Sequence, residues 1–325
     1  MRRSAVLNAQ KLFTSIASRI GAHACASMRT TVGSCVENVT TNGPLSHRLT
    51  TTRTMTRRAM ASDAMRAEEK KGGDFREESD LLGGMSIPNR ALYGIATARA
   101  MENYGITGVT LSRYPEFIRA LALTKRACAM ANRKLGLLSE DVYRGITHAC
   151  DALIDDEEHH EHFTVDMIQG GAGTSTNMNA NEVIANLAAM HLGLPVGDYS
   201  VVNPNDHVNL CQSTNCAYPS AAKLAVVLKH GIVVDALKKM IASLRAKGDE
   251  FKDILKMGRT QLQDAVPMTL GQEFHSFAAT LETDLTFLER NVDSMYELNL
   301  GGTAIGTSIC ADESFSEEAI AALSE

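Results

Sequence analysis

Apolar side chains in the last third of the chain recur at helical spacing. Leu270, Phe274, Phe277, Leu281, Leu285, Leu288, Val292 and Met295 step by threes and fours across 26 residues, with charges between them. At about 1.5 Å per residue, this seam predicts a rod of roughly 39 Å. Further upstream, Pro115 stands where a first helical turn starts. Phe117, Leu121 and an alanine-rich run then carry a helix to Lys134, ahead of Gly136. Val183, Leu187 and Met190 share one face of a helix closed by Gly193 and Pro195. Pro219 opens another helix with Leu224 and Leu228, and Val233, Leu237, Met240, Ile241 and Leu244 then repeat at helical spacing. Residues 74–105 read as turn-rich and acidic, punctuated by Gly83-Gly84, Pro88, Gly94 and Gly105. No alternating strand series and no repeat of roughly 20–50 residues interrupts this pattern. The core is therefore mainly α. Rods this long suit a bundle, and so few of them in one chain predict that helices of other chains share it.

Composition narrows the class. A chain of 325 residues is long enough for two domains with a sizeable core. Its apolar runs fall short of the roughly 20 residues a membrane span needs, which argues against a membrane protein. The absence of Trp, the 5% of aromatic residues and a pI near 5.9 argue against a nucleic-acid binder as well. Seven cysteines without a C-x-x-C read as reduced thiols rather than a disulfide frame or zinc ribbon.

The charge is unevenly placed. Residues 1–66 hold nine Arg and one Lys against Glu37 and Asp63, a net of +8, which leaves −14 for the rest of a chain whose total is −6. Ala5, Ala9, Leu12, Phe13, Ile16 and Ile20 recur at helical spacing there, with Arg2, Arg3, Lys11 and Arg19 interleaved. An amphipathic, Arg-rich, acid-poor leader rich in Ser and Thr reads as an organelle transit peptide, most simply mitochondrial. A disordered basic tail or translated upstream sequence, on a cytoplasmic protein, is the alternative.

Three polar segments interrupt the helices. Gly170-Gly171-Ala172-Gly173-Thr174-Ser175-Thr176-Asn177-Met178-Asn179 precedes the helix of Asn181-Glu182-Val183-Ile184. Glycines followed by hydroxyls at a helix start make an anion site from free N–H groups and the positive helix end. The lysine of a phosphate-binding G-K-[ST] is missing, and no strand precedes as a dinucleotide fingerprint requires. An ordinary capping loop reads the same way. The second segment, Asn203-Pro204-Asn205-Asp206-His207-Val208-Asn209, continues to Gln212-Ser213-Thr214-Asn215-Cys216. The third, Gly258 to Met268, is set as a loop between two long helices and contains Arg259-Thr260-Gln261. These are neutral donors ahead of rigid helices, with no nucleophile beside a base, which suits holding carboxylates. Asp155-Asp156-Glu157-Glu158-His159-His160-Glu161-His162 reads as a solvated charge run rather than a metal site, because its spacing fits no standard metal motif.

The chain from about Asp74 onward closely resembles the aspartate ammonia-lyase (aspartase) family of the aspartase/fumarase superfamily. The resemblance rests on Asp166-Met167-Ile168-Gln169-Gly170-Gly171-Ala172-Gly173-Thr174 with Asn177-Met178-Asn179, on the Asn-Pro-Asn-Asp-His-Val-Asn and Gln-Ser-Thr-Asn runs, and on Met257 through Phe274. Fumarases (fumarate hydratases) usually carry His at the places of Gln261 and Asn203, so both residues point to the aspartase branch.

The resemblance implies a long-helix bundle with a smaller N-terminal α domain. The boundaries are a leader 1–66, an N-terminal lyase domain 67–213 and a partial central bundle 214–325. It implies a homotetramer whose active sites are each built from three chains, and anti elimination of ammonia from L-aspartate to fumarate without cofactor or metal. Thr174 then contacts substrate, Ser213, Thr214 and Asn215 hold the β-carboxylate and approach the amino group, and Thr260 and Gln261 stand beside the leaving amine. The family's base is a serine in G-S-S-x-M-P-x-K-x-N, a segment that would lie downstream of Gly306 and has no match in 1–325. No catalytic residue is therefore assigned. The expectation is a C-terminally truncated member, inactive alone, or a non-catalytic fragment that assembles with full-length subunits.

There are departures from the family pattern. Cys216 stands where an Asp is usual, which puts the carboxylate-binding loop in question. Gly302 and Ser308-Ile309-Cys310 also differ from it. His207 and Asn205 match a second anion site described for fumarases, and a turn-stabilising role fits them equally.

The leader generates one test. Residues 1–66 fused to a fluorescent reporter are expected to carry it into mitochondria, while a 67–325 fusion stays cytosolic. Cytosolic fluorescence from the leader fusion would contradict the transit-peptide reading.

Overall fold

The computed structural model describes residues 74–325, so the leader lies outside it. Strands β1 (Phe75–Asp80) and β2 (Gly83–Pro88) pair antiparallel from Phe75↔Pro88 to Asp80↔Gly83. This hairpin corrects the turn-rich reading of 74–105. Its strands bury only Glu78 and Ile87, so there was no apolar alternation to see. Polar contacts hold it instead. The Arg76 guanidinium donates to Glu78 at 2.8 Å and to the carbonyls of Pro88, Ala91 and Tyr93 at 2.7–2.9 Å.

Helix α1 (Ile95–Asn103) follows, and its cap residue Gly94 has no side chain to offer. Two distant carboxylates take its free N–H groups. Glu182 accepts from Gly94, Ala96 and Thr97 at 2.8–3.1 Å, and Glu78 accepts from Ile95 at 2.9 Å.

Three helices form the body: α2 (Pro115–Lys134), α3 (Glu140–Asp155) and α4 (Thr174–His191). Pro115 occupies the first helical turn as its missing N–H allows, and Ser139 caps α3 by accepting the Val142 N–H. Ile118, Leu121, Ile146, Leu153, Val183 and Ile184 pack between them, all at most 1% exposed. Helix α4 is enclosed on nearly every side from Thr176 to Ala189. The expected face ends early, however. Val183 and Leu187 are buried, but Met190 is 50% exposed.

Helix α5 (Thr214–Glu250) is one rod of 37 residues, so Pro219 does not open it but sits inside its second turn. A proline there removes the N–H that would bond to the Asn215 carbonyl. Asn299 repairs the loss, its Nδ2 donating to that carbonyl at 3.0 Å. Beyond Leu224 the rod leaves the body and is joined by α6 (Leu270–Asn291), reached through the antiparallel strands β3 (Leu255–Thr260) and β4 (Gln263–Thr269). The supposed loop 258–268 is thus a hairpin, bulged between Met257 and Arg259. The 270–295 seam is helical to Asn291 and finishes as a tighter turn over Val292–Tyr296. Finally α7 (Phe315–Leu323) returns to α2, where Phe315 and Ala319 bury against Cys128 and Ala131.

Along the α5–α6 arm only Val234, Ile241, Gly248, Gly271 and Ala278 are buried. The two helices meet closest where both lack side chains, since a Cβ on Gly271 would stand 2.4 Å from the Gly248 carbonyl oxygen. Gly271→Ala is therefore expected to destabilise the protein by about 3 kcal/mol, measured as a lower urea midpoint. A variant unfolding together with the parent would show the two backbones free to separate.

Candidate functional site

The glycine-rich segment makes a strained turn ahead of α4. Gly171, Ala172 and Gly173 all have left-handed φ (78°, 53° and 89°), and a Cβ on Gly173 would lie 2.5 Å from the Tyr218 ring. Glycine is required there twice over, by φ and by contact. That contact seats the start of α4 against the second turn of α5. Thr174, the first residue of α4, is exposed and donates its hydroxyl to the Gly171 carbonyl at 2.8 Å. Gln169 steadies the next turn, accepting the Thr176 N–H at 2.9 Å and donating to the Thr176 hydroxyl at 2.8 Å. Asp166 anchors the segment. Its carboxylate accepts from Thr107 (N–H 2.6 Å, hydroxyl 2.7 Å), Gly108 N–H (2.8 Å) and Ile168 N–H (2.8 Å).

The second segment is a sequence of caps. Asn203 Oδ1 accepts from the N–H groups of Asn205 and Asp206, and its own N–H donates to His207 Nδ1 at 2.9 Å. This ring nitrogen of His207 therefore serves the turn. Ser213 caps α5 by accepting the Asn215 N–H at 3.2 Å, and Cys216 Sγ accepts the Ser213 N–H at 3.3 Å. The thiol thus takes the reciprocal place of a capping box, which answers the question raised by the missing Asp. Asn215 reaches across to donate to the Ala304 carbonyl at 2.8 Å.

Beneath both helix starts lies a residue the sequence reading passed over. Lys125 of α2 is fully buried, and its ammonium donates to Asn177 Oδ1 (2.8 Å), Asn209 Oδ1 (2.9 Å) and Gln212 Oε1 (2.8 Å). These amides cannot turn away. Asn177 Nδ2 donates to Asn209, Asn209 Nδ2 to the Gln212 carbonyl, and Gln212 Nε2 to the carbonyls of Val208 and Leu210. Burial depresses Lys125 from 10.5 to about 8. The signal was present: Phe117, Leu121, Lys125 and Cys128 lie on one helical face, a cation in an otherwise apolar stripe.

Of the sequence-assigned residues, Thr174, Ser213, Thr214 and Asn215 share this neighbourhood, on two helix starts joined through Lys125 and Tyr218. Thr260 and Gln261 do not. They lie exposed at the tip of β3–β4, where Gln261 and Leu262 both have left-handed φ (50° and 66°). The 37 residues of α5 stand between the two groups, a rod of about 55 Å. Among the described residues no three His, Cys, Asp or Glu side chains converge as a metal site. In the 155–162 run, His160 is buried with Nε2 against the Leu153 carbonyl at 2.9 Å, and burial lowers its pKa. No helix among the described residues is long and apolar enough to cross a membrane.

A helical body carrying neutral donors at paired helix starts, with a long protruding two-helix arm, defines a class. The chain belongs to the lyase family, whose model matches residues 83–325. Within it, the relatives it is similar to are aspartate ammonia-lyases: 54% identity over 246 residues with that of Pseudomonas aeruginosa and 46% over 252 residues with that of Escherichia coli. These alignments cover 75% and 78% of this chain but 52% and 53% of the relatives, so it spans about half their length. Among solved structures, a fumarate lyase/delta crystallin of Brucella melitensis bound to cobalt superposes with a TM-score of 0.72 at 54% identity, over 77% of this chain and 54% of that one. A class II fumarase of Schistosoma mansoni superposes at 0.68 with 34% identity, over 77% and 52%.

The Asp166 anchor generates a pH dependence. Burial by itself raises a carboxyl, but the hydrogen bonds from Ile168, Thr107 and Gly108 outweigh it and hold Asp166 at about 2, below the ordinary 3.8. A depressed carboxyl contributes stability that is complete above 3.8 and is lost as pH falls through about 2. Asp166→Asn is expected to melt lower than the parent near pH 7 and to lose less on acidification. Thermal melts across that range check it, and parallel acid limbs would contradict it.

Proposed function

We propose that this chain supplies the carboxylate-holding part of an aspartate ammonia-lyase active site, in the reversible anti elimination of ammonia from L-aspartate to fumarate. The observation that carries this reading is the convergence of two helix starts, with their hydroxyl and amide groups, over a buried ammonium. In the proposed reaction a base takes a proton from Cβ, and the β-carboxylate becomes an aci-carboxylate dianion. The Cα–Cβ double bond then forms as the C–N bond breaks and ammonia leaves. The new negative charge needs donors already in place, which Ser213, Thr214 and Asn215 offer at the first turn of α5 and Thr174 at that of α4. The base is assigned to the family's G-S-S-x-M-P-x-K-x-N serine, a segment not found in residues 1–325.

Thr260 and Gln261 enter this reading from another copy of the chain. Their distance from Thr214 along α5 supports a site shared between chains in a homotetramer. So does the apolar surface of the arm, where Val226, Val233, Met240, Phe277 and Phe287 are 44–54% exposed. The same surface supports the second reading, a non-catalytic partner of longer subunits. Fumarate hydratase is a weaker alternative, given Gln261, Asn203 and the lower identity to the fumarase. The leader's charge and spacing support a mitochondrial destination.

The test uses the chain 1–325. It is expected to bind fumarate in calorimetry and to form no fumarate from L-aspartate by itself, with longer subunits supplying the base. Thr214→Ala should weaken fumarate binding about tenfold or more, since a hydrogen bond to a charged group contributes about 1.5–3 kcal/mol, with little change in melting temperature. Unchanged binding with a lowered melting temperature would make Thr214 a structural residue and overturn its assignment.

A further inference from the structure

Lys125 is buried, yet among the described residues no carboxylate neutralises it. Its three protons are spent on three neutral amide oxygens, one from α4 and two from the turn that leads into α5. Among the described residues, the titratable groups facing it are the thiols of Cys128 on α2, Cys150 on α3 and Cys216 on α5. Burial pushes Cys128 up to about 12 and Cys150 higher still, so these two stay neutral through the alkaline range. The ion pairs at the two ends of α2, Glu116–Lys229 and Lys134–Glu318, lie about 13 Å of helix rise away. A buried ammonium without a counter-ion is costly even when all its protons are hydrogen-bonded, so packing alone does not call for one. What apolar packing cannot supply is a positive field under two helix starts.

We propose that Lys125 is a positioning residue of this site. Its ammonium holds Asn177, Asn209 and Gln212, fixes the starts of α4 and α5 relative to each other, and supplies the charge against which a dicarboxylate binds. This rests on the dicarboxylate reading above. The ligand does not touch Lys125. The effect passes through Asn177, one turn inside α4, and Gln212, the residue before Ser213. Because charge and ligand are linked, the ligand must hold the proton on Lys125 and the proton must hold the ligand.

The sign follows. Lys125 carries its charge below about pH 8 and loses it above. Succinate is a dianion throughout that range, so a change in its affinity there reports on the protein. Calorimetric titration of succinate into the chain 1–325 from about pH 7 to 9.5 should give a constant Kd at the lower end, rising about tenfold through pH 8, a size ordinary for coupled sites. Lys125→Met should bind about tenfold more weakly near pH 7 and show a flat profile. If that variant does not fold, Lys125→Arg, which keeps its charge across this range, takes its place and should show a flat profile. Succinate binding in the parent that is flat across the range, or that Lys125→Met leaves unchanged, overturns the role of Lys125 and leaves the dicarboxylate reading standing. No succinate binding at any pH overturns that reading and this proposal with it.

Discussion

The ammonium of Lys125 is the contact on which the rest of the site depends. It lies where α2, α4 and the turn before α5 meet, and each of its hydrogen bonds joins α2 to another segment. An ammonium taken out of water is costly unless every proton finds an acceptor, and leaving a buried acceptor unpaired costs about 1–3 kcal/mol. The cage therefore permits little variation. The side-chain nitrogens of Asn177, Asn209 and Gln212 are bound elsewhere, so their oxygens stay turned inward. Polar networks of this kind tolerate few alternatives, which lets three sequence-distant segments adopt one arrangement.

Around this centre, backbone groups are satisfied over long range. Helix α1 has no capping side chain and borrows Glu78 and Glu182. Helix α5 loses a hydrogen bond to Pro219 and receives one from Asn299. Cys216 closes the capping box at Ser213, though a thiol is a weaker partner than a carboxylate. The arm formed by α5 and α6 is built differently. It has two glycines at its closest approach, few buried side chains and much exposed apolar surface. The body packs around a continuous apolar core, whereas the arm leaves most of its apolar side chains at least partly exposed.

Much of this was legible in the sequence, for identifiable reasons. Helical periodicity is local, so Pro115–Lys134 and the 270–291 rod could be read from spacing. The polar segments also showed their character, as glycines, hydroxyls and amides ahead of helices. The β1–β2 hairpin was missed because Arg76 and neighbouring carbonyls hold it, not an apolar face. The start of α5 was misplaced because proline normally opens a helix. The residue that compensates for Pro219 is Asn299, far along the chain.

The sequence by itself determined the helical class of the protein, the polar segments that precede its helices and the family they resemble, because each is written in nearest neighbours or in uninterrupted motifs. Only the tertiary structure decided that Thr174 and Ser213–Asn215 stand together while Thr260 and Gln261 stand a helix length away. Only the tertiary structure identified Lys125, one of many basic residues in the sequence, as the charge beneath them. The reason is physical: convergence and burial depend on which distant side chains share a volume, and no local pattern records that.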